Sequence, residues 1–369
     1  MANERIEKIK AEIEKCGYGN SNTINQSLSL LLDHGLESLN ILVDYMAQDL
    51  PIETIERWER LSKDLLKGIF SGPYSSDLAR EAILVQKRLG FLLKYKSYAI
   101  KASHPLGYSI FIQNKGQGFS FQQHITHKTE VFHILEVLNG GYVFTCDYKD
   151  WQKNYEEKAF TDWLSGKPDQ RYDQFRIYPR PGDVFSIDKL GIVHTVIGCV
   201  LEEYATVSTD MVERLFDQNA GRKIPSFFNR DYTRERLISI KFPGSSRHVN
   251  INLNQKSVTE IKPLTIPGGT KLPLSAGHIF ASRYRIEPAK ASEPMVDRRC
   301  ASGVYFTRGK GQLIVGNEKE VNQLTPPSIP VSAGDLVLIP NGIYYAFVCE
   351  GTDPLECSEQ RTPFDVAFV

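Results

Sequence analysis

The hydrophobic period of this chain changes near residue 100, so its two parts must be built from different elements. Up to residue 98 apolar residues recur at three- and four-residue steps. Ile24, Leu28 and Leu31 and then, past Gly35, Leu36, Leu39, Val43 and Met46 place one apolar stripe on each of two helices. Gly35 is the break between them. Asp49 and Pro51 open another helix with Ile52, Ile55, Leu61 and Leu65, and Asp77 caps one running through Ile83, Leu89 and Leu92. Only Pro51 and Pro73, of 19 prolines, fall in this stretch, and its spacing predicts four or five helices.

Beyond residue 100 the period is two. The runs YSIFIQ, FSFQQHI, EVFHILEV, YVFTCDY, DVFSID and HTVIGCV are separated by Gly, Pro, Asn and Asp. A second set closes the chain: IFASRYRIEP, GVYFTRG, GQLIVG, DLVLIP, IYYAFVCEG and FDVAFV. Strands at this spacing predict sandwiches or barrels. Residues 216–275, rich in Asn, Pro, Gly and Ser, read as a connecting stretch with few strands. The two β regions share a unit, because GDVFSIDKLGIVHTV (182–196) overlays GDLVLIPNGIYYAF (334–347) and sets His194 over Tyr345. That is an internal duplication.

Forty-four basic residues balance forty-four acidic ones, so no broad basic surface recommends nucleic acid as a partner. No apolar run approaches the roughly 20 residues that span a bilayer, and MANERIEKIKAEIEK has no apolar signal-peptide core. The expectation is a soluble, cytoplasmic protein that needs no membrane. Six cysteines, at 16, 146, 199, 300, 349 and 357, form no CxxC pair and read as reduced, inert thiols.

Three of the eight histidines, His124, His127 and His133, crowd beside Glu130, and His194 lies at the centre of the duplicated unit. Imidazole with carboxylate suits zinc, iron, manganese or nickel and leaves positions open for a substrate. His133, alternating with Val131 and Leu135, reads as a packed or rim residue, and Glu136 as charged rim. His34, His104, His248 and His278 have no motif around them and read as surface residues.

The segment around His124 resembles the first motif of the cupin superfamily, G(X)5HXH(X)3–4E(X)6G, and residues 181–196 resemble the second, which ends in a histidine. The match places Gly118, His124, Glu130 and His194 and leaves Thr126 where a second histidine would stand. Taking Gly116 instead makes Gln122 and His124 the pair but sets Glu130 one residue too far along. Spacing leaves Gln122, Thr126 and His127 as alternatives. HKTEVFHIL (127–135) and VSTDMVERLFDQNAGR (207–222) are further similar to sugar-phosphate isomerases of the mannose-6-phosphate isomerase kind, where a Gln-x-His pair, a Glu and a later His bind the metal.

The resemblance implies an α+β, mainly β chain: a helical domain over 1–98, a metal-bearing cupin barrel over 99–222, a connecting segment over 223–275 and a degenerate second cupin barrel over 276–369. It implies one divalent ion per chain on His124, Glu130 and His194, with His127 or Gln122 as fourth ligand. In the second barrel Tyr345 replaces His194, counting back from Gly309 puts Ser302 at the glutamate place, and Arg298 and Arg299 bring positive charge where an ion would sit. No metal is expected there.

The function implied is isomerisation or epimerisation of a sugar or sugar phosphate through an enediolate, with Lys128 as a candidate base. Two other functions use the same residues. One is a non-haem Fe(II) oxygenase acting on a small metabolite; the other is a non-catalytic small-molecule-binding protein whose helical domain signals occupancy. The expected partners are a small-molecule substrate and a second copy of the chain in a homodimer.

Overall fold

Five helices precede the first strand: α1 (Ala2–Tyr18), α2 (Ser21–Asp33), α3 (Gly35–Met46), α4 (Ile52–Phe70) and α5 (Ser76–Leu89). The computed structural model describes the chain apart from residues 1, 20, 49, 71–74, 90–91, 104–106, 127, 207–211, 224–228, 252–256, 276–278, 325–326 and 364–369. Gly35 separates α2 from α3 with φ of 38°, in the left-handed region. The helices bury their stripes together, with Ile13, Leu31, Leu39, Leu42, Leu61 and Leu65 fully enclosed. Trp58, also buried, donates Nε1–H to the Ile13 carbonyl at 3.0 Å. The last helix is shorter than expected, because Leu92 opens a strand instead.

Eleven strands form the first β region: β1 (Leu92–Lys96), β2 (Ala99–Ser103), β3 (Tyr108–Gln113), β4 (Phe121–His124), β5 (Glu130–Asp147), β6 (Arg176–Ile177), β7 (Asp183–Ile187), β8 (Ile192–Ala205), β9 (Val212–Phe216), β10 (Ser246–Asn250) and β11 (Ser257–Ile261). Two of them, β5 and β8, serve both layers of a jelly roll. One layer reads β3-β8-β5-β7, while β4 and β6 flank β8 and β5 in the other. Both long strands turn the corner at glycine. Gly198 has φ of 66°, and a Cβ on Gly141 would stand 2.5 Å from the Gly198 carbonyl oxygen. Between β5 and β6, helices α6 (Tyr148–Asn154), α7 (Glu157–Leu164) and α8 (Gln170–Asp173) pack Trp151, Phe160, Trp163 and Tyr172 onto Phe121 and Phe144.

After α9 (Arg230–Ile238) the second β region comprises β12 (Leu264–Ile266), β13 (Gly269–Pro273), β14 (Phe280–Ile286), β15 (Cys300–Arg308), β16 (Lys310–Gly316), β17 (Ser328–Ser332), β18 (Leu336–Ile339), β19 (Tyr344–Cys349) and β20 (Leu355–Pro363), with α10 (Glu318–Asn322) after β16. Its layers are β14-β20-β15-β18 and β17-β16-β19, the strand order of the first roll. The duplication reaches single residues. Gly118 pairs with Ile197 as Ala291 pairs with Val348, and Gln122 faces His194 as Met295 faces Tyr345. Even the irregularity is shared, since the ladder slips between Ile134 and Glu136 in one roll and between Phe306 and Arg308 in the other. The fold is therefore a helical region followed by two cupin-type jelly rolls.

The stretch over 216–275 is richer in strands than its composition implied. β10 pairs parallel with β7, β11 extends that edge, and β12 and β13 widen the second sheet. They form the outermost two strands of each sheet, with largely exposed or half-buried faces, so they lack the apolar alternation that marks a strand in sequence. The helical core continues into the outer faces of both rolls through Ile110, Val131, Val184, Ala301, Tyr305 and Leu336. Arg80 reaches the Val315 carbonyl at 3.0 Å, and Lys87 pairs with Asp335 at 3.1 Å. Among the described residues no helix is long and apolar enough to cross a membrane.

Candidate metal centre

Three strands of the first roll converge on one buried point. His124 ends β4, Glu130 opens β5 and His194 lies near the start of β8, and all three are fully buried. One ligand atom from each lies within 4.8 Å of the others. Glu130 Oε2 is 3.2 Å from His194 Nε2 and 3.3 Å from His124 Nε2. The expected trio is thus brought together by β-pairing.

The protonation of this cluster is constrained. His194 Nδ1 lies 3.0 Å from the Ile192 carbonyl, which only accepts, so Nδ1 carries a proton and Nε2 is the nitrogen turned toward Glu130. A ring nitrogen and a carboxylate oxygen at 3.2 Å are satisfied either by a proton on the nitrogen or by a cation between them. Neither ring nitrogen of His124 has a hydrogen-bond partner although both are buried. Such orphans cost about 1–3 kcal/mol each. A cation among the three groups takes one nitrogen from each ring and a Glu130 oxygen, so it relieves one of the two His124 orphans, and the residues fit a divalent ion in number and chemistry.

Charges around Glu130 reinforce this. Burial pushes its carboxyl up, but Lys128 and the two imidazoles outweigh burial and hold it well below the usual carboxylate range. Burial also depresses His124, against the pull of Glu130. The Lys128 ammonium rests on Glu130 Oε1. Its burial is outweighed by the charges of Glu130 and Glu203, so its proton is held more tightly than in water.

Glu203 was not singled out in the sequence. On β8 it lies opposite Phe132 and Ser109 and alternates with Leu201, so it shares the inward face with the core of the roll. Burial and then the charge of Glu130 push its carboxyl up to about 7, against Lys128, Lys101 and Lys96. The signal available was Glu202-Glu203 inside an otherwise apolar strand, which puts one carboxylate on each face.

Other expected residues are placed as follows. Gln122 faces His194 across β4 and β8 and accepts from Ser120 Oγ at 3.1 Å. Thr126 is exposed, and His127 lies outside the described residues. His133 faces outward but is fully buried, with Nδ1 2.8 Å from Glu202 Oε2 and Nε2 3.1 Å from Ser246 Oγ. Glu136 is exposed.

In the second roll, Ser302 Oγ lies 3.2 Å from the Tyr345 hydroxyl. The expected cation is different. Arg298 and Arg299 are exposed. The interior charge is Arg361, which lies opposite Ser302 in the β15–β20 ladder. Its Nη2 is 3.1 Å from the Tyr345 hydroxyl and its Nε donates to Glu359 at 3.0 Å. Tyr345 and Tyr284 also donate to Glu359. Counting along the motif segments misses Arg361, because it comes from the last strand.

No family model matches the sequence, and no curated protein does. Solved structures similar to the chain include oxalate decarboxylase from Bacillus subtilis at pH 4.6, with 12% identity, a TM-score of 0.46 and coverage of 73% of this chain and 74% of that one. Another is the formate complex of Lactobacillus farciminis oxalate decarboxylase, with 14% identity, a TM-score of 0.44 and coverage of 73% and 83%.

Proposed function

We propose that the protein is a metal-dependent cupin enzyme that isomerises or epimerises a sugar or sugar phosphate. The observation that carries the metal is the convergence of His124, Glu130 and His194, all buried, with one ligand atom of each within 4.8 Å of the others and His124 held by no other partner. His124, Glu130 and His194 would hold one divalent ion of the zinc, iron, manganese or nickel kind, with Gln122 the fourth group nearest in register. When bound, the ion supplies Lewis-acid polarisation of a carbonyl and its neighbouring hydroxyl.

The chain's own residues supply the rest. Isomerisation moves a proton between adjacent carbons, so it needs a group that both takes and returns one. Glu203 stands on the inward wall of the same roll, and its raised carboxyl exchanges a proton near neutral pH. Lys128 keeps its proton, so we assign it a charge role, steadying Glu130 and any negative charge that develops on substrate oxygen.

Two histidines and a carboxylate are also the set used by Fe(II) oxygenases, which makes that the second reading. Anaerobic metal reconstitution separates the two. Solvent deuterium entering an aldose or ketose with zinc or manganese and no oxygen supports the isomerase, and iron-dependent oxygen uptake supports the oxygenase. Neither activity would leave a binding protein.

A further inference from the structure

The two rolls are built on one register, so a residue in one has a defined counterpart in the other. Ile110 and Ile112 lie opposite Glu202 and Val200 on the outer face of the first roll, where they join the core shared with the helices. Their counterparts are Arg283 and Arg285, opposite Ser358 and Glu356. Glu136, opposite Val200, has Arg308, opposite Glu356, as its counterpart. Two isoleucines and a glutamate in one copy are thus three arginines in the other.

That surface is not sealed. It floors a groove of about 800 Å³ whose other wall is the segment after α9, including Lys241, Phe242 and Pro243. The volume is within the range of about 300–1,000 Å³ typical of small-ligand sites. Four cations line it, Lys241, Arg283, Arg285 and Arg308, against one carboxylate, Glu356. Glu356 is shared, at 2.8 Å from Arg285 Nη1 and 3.7 Å from Arg283 Nη2. Arg285 also pairs with Glu287 at 2.9 Å, and Arg308 with Asp353 at 3.2 Å.

Arg283 is the unusual member. Its side chain is only 8% exposed, and its guanidinium lies 4.1 Å from the centre of the Phe242 ring. Nε and Nη1 are buried without a hydrogen-bond partner. A buried guanidinium that leaves donors unsatisfied is costly, whereas an oxyanion matches its planar fork.

We propose that this groove is a second ligand site, binding the oxyanion group, phosphate or carboxylate, of a small metabolite. It lies on the outer face of the second roll, while the metal centre is inside the first.

Calorimetric titration of the full chain with inorganic phosphate and, separately, with malonate tests this. The expected result is one site per chain for at least one of the two anions, retained in His194→Ala. Binding by phosphate alone assigns a phosphorylated ligand, and binding by malonate alone a carboxylated one. Arg285 and Arg308 are 44% and 54% exposed, so an Arg285→Ala/Arg308→Ala double variant should fold, as thermal unfolding would verify. It should bind at least about tenfold more weakly, a loss of about 1.4 kcal/mol. Absence of binding by both anions at millimolar concentrations, or unchanged affinity in the double variant, overturns the proposal.

Discussion

Tyr345 occupies in the second roll the position that His194 occupies in the first. Met295 faces Tyr345 as Gln122 faces His194, and Ser302 approaches the Tyr345 hydroxyl at 3.2 Å as Glu130 approaches His194 Nε2 at 3.2 Å. The electrostatics differ. In the first roll two imidazoles and a carboxylate converge with the ligand chemistry for a cation, whereas the second roll contains a cation of its own, the Arg361 guanidinium against Glu359.

Arg361→Ala would leave Glu359 fully buried with two tyrosine donors but without the guanidinium that pairs with it. Losing one partner of a buried ion pair costs about 3–5 kcal/mol. Urea unfolding should show a loss of that order, with the metal content of the first roll unchanged. A loss below about 1 kcal/mol would place Arg361 in the class of surface pairs and contradict its role as internal cation.

Metal content is expected to be one ion per chain and to depend on His124, Glu130 and His194 together. Each supplies one of three converging atoms, so single Ala variants should fold yet lose at least about tenfold in metal affinity. Elemental analysis of purified protein reads this directly. Full occupancy in His194→Ala would disprove the ligand assignment.

Glu203→Gln removes the group proposed to move the proton while leaving the three ligand residues in place. Turnover should fall about 100-fold or more, with metal content unchanged and partial recovery in Glu203→Asp. A carboxylate base is active when deprotonated, so the wild-type rate should rise with pH through the Glu203 titration. Burial and Glu130 set that titration at about 7 against Lys128, Lys101 and Lys96, and a bound cation would offset Glu130 and move it lower. The rising limb is expected at or below 7 and should vanish in Glu203→Gln.

The sequence revealed the site where chemistry and periodicity coincided. His124, Glu130 and His194 stood in recognisable spacing, the repeat around Gly182 and Gly334 set Tyr345 in the place of His194, and counting back from Gly309 set Ser302 in the place of Glu130. Glu203 and Arg361 were hidden for one reason. Each comes from a strand that closes its roll, outside the counted motif positions, so that Glu203 lies 73 positions from Glu130 and Arg361 lies 59 from the Ser302 it faces. β10 to β13 escaped notice because pairing at sheet edges, with little burial, forms them. Of the alternatives for a fourth ligand, Gln122 lies opposite His194 in register and His127 lies outside the described residues.

Glu202 should make the fold sensitive to acid. It lies between the rolls, fully buried, accepting from Tyr108 at 2.7 Å and from Ser358 at 2.5 Å, with His133 Nδ1 at 2.8 Å. Burial pushes its carboxyl up, but the His133 bond and charge, Arg283 and the Ser358 bond outweigh burial and hold it down at about 2. A group whose pKa is lower folded than unfolded stabilises the protein above its unfolded value, near 4.3, and loses that contribution as pH falls toward the folded value. A depression of this size corresponds to roughly 3 kcal/mol at neutral pH. Glu202→Gln cannot ionise, so its stability deficit against wild type should be of that order at pH 7 and shrink progressively below about pH 4. Urea unfolding of both proteins at a series of pH values measures the gap. A gap that stayed constant from pH 7 to pH 3 would show that Glu202 contributes only as a hydrogen-bond acceptor, with no role for its charge.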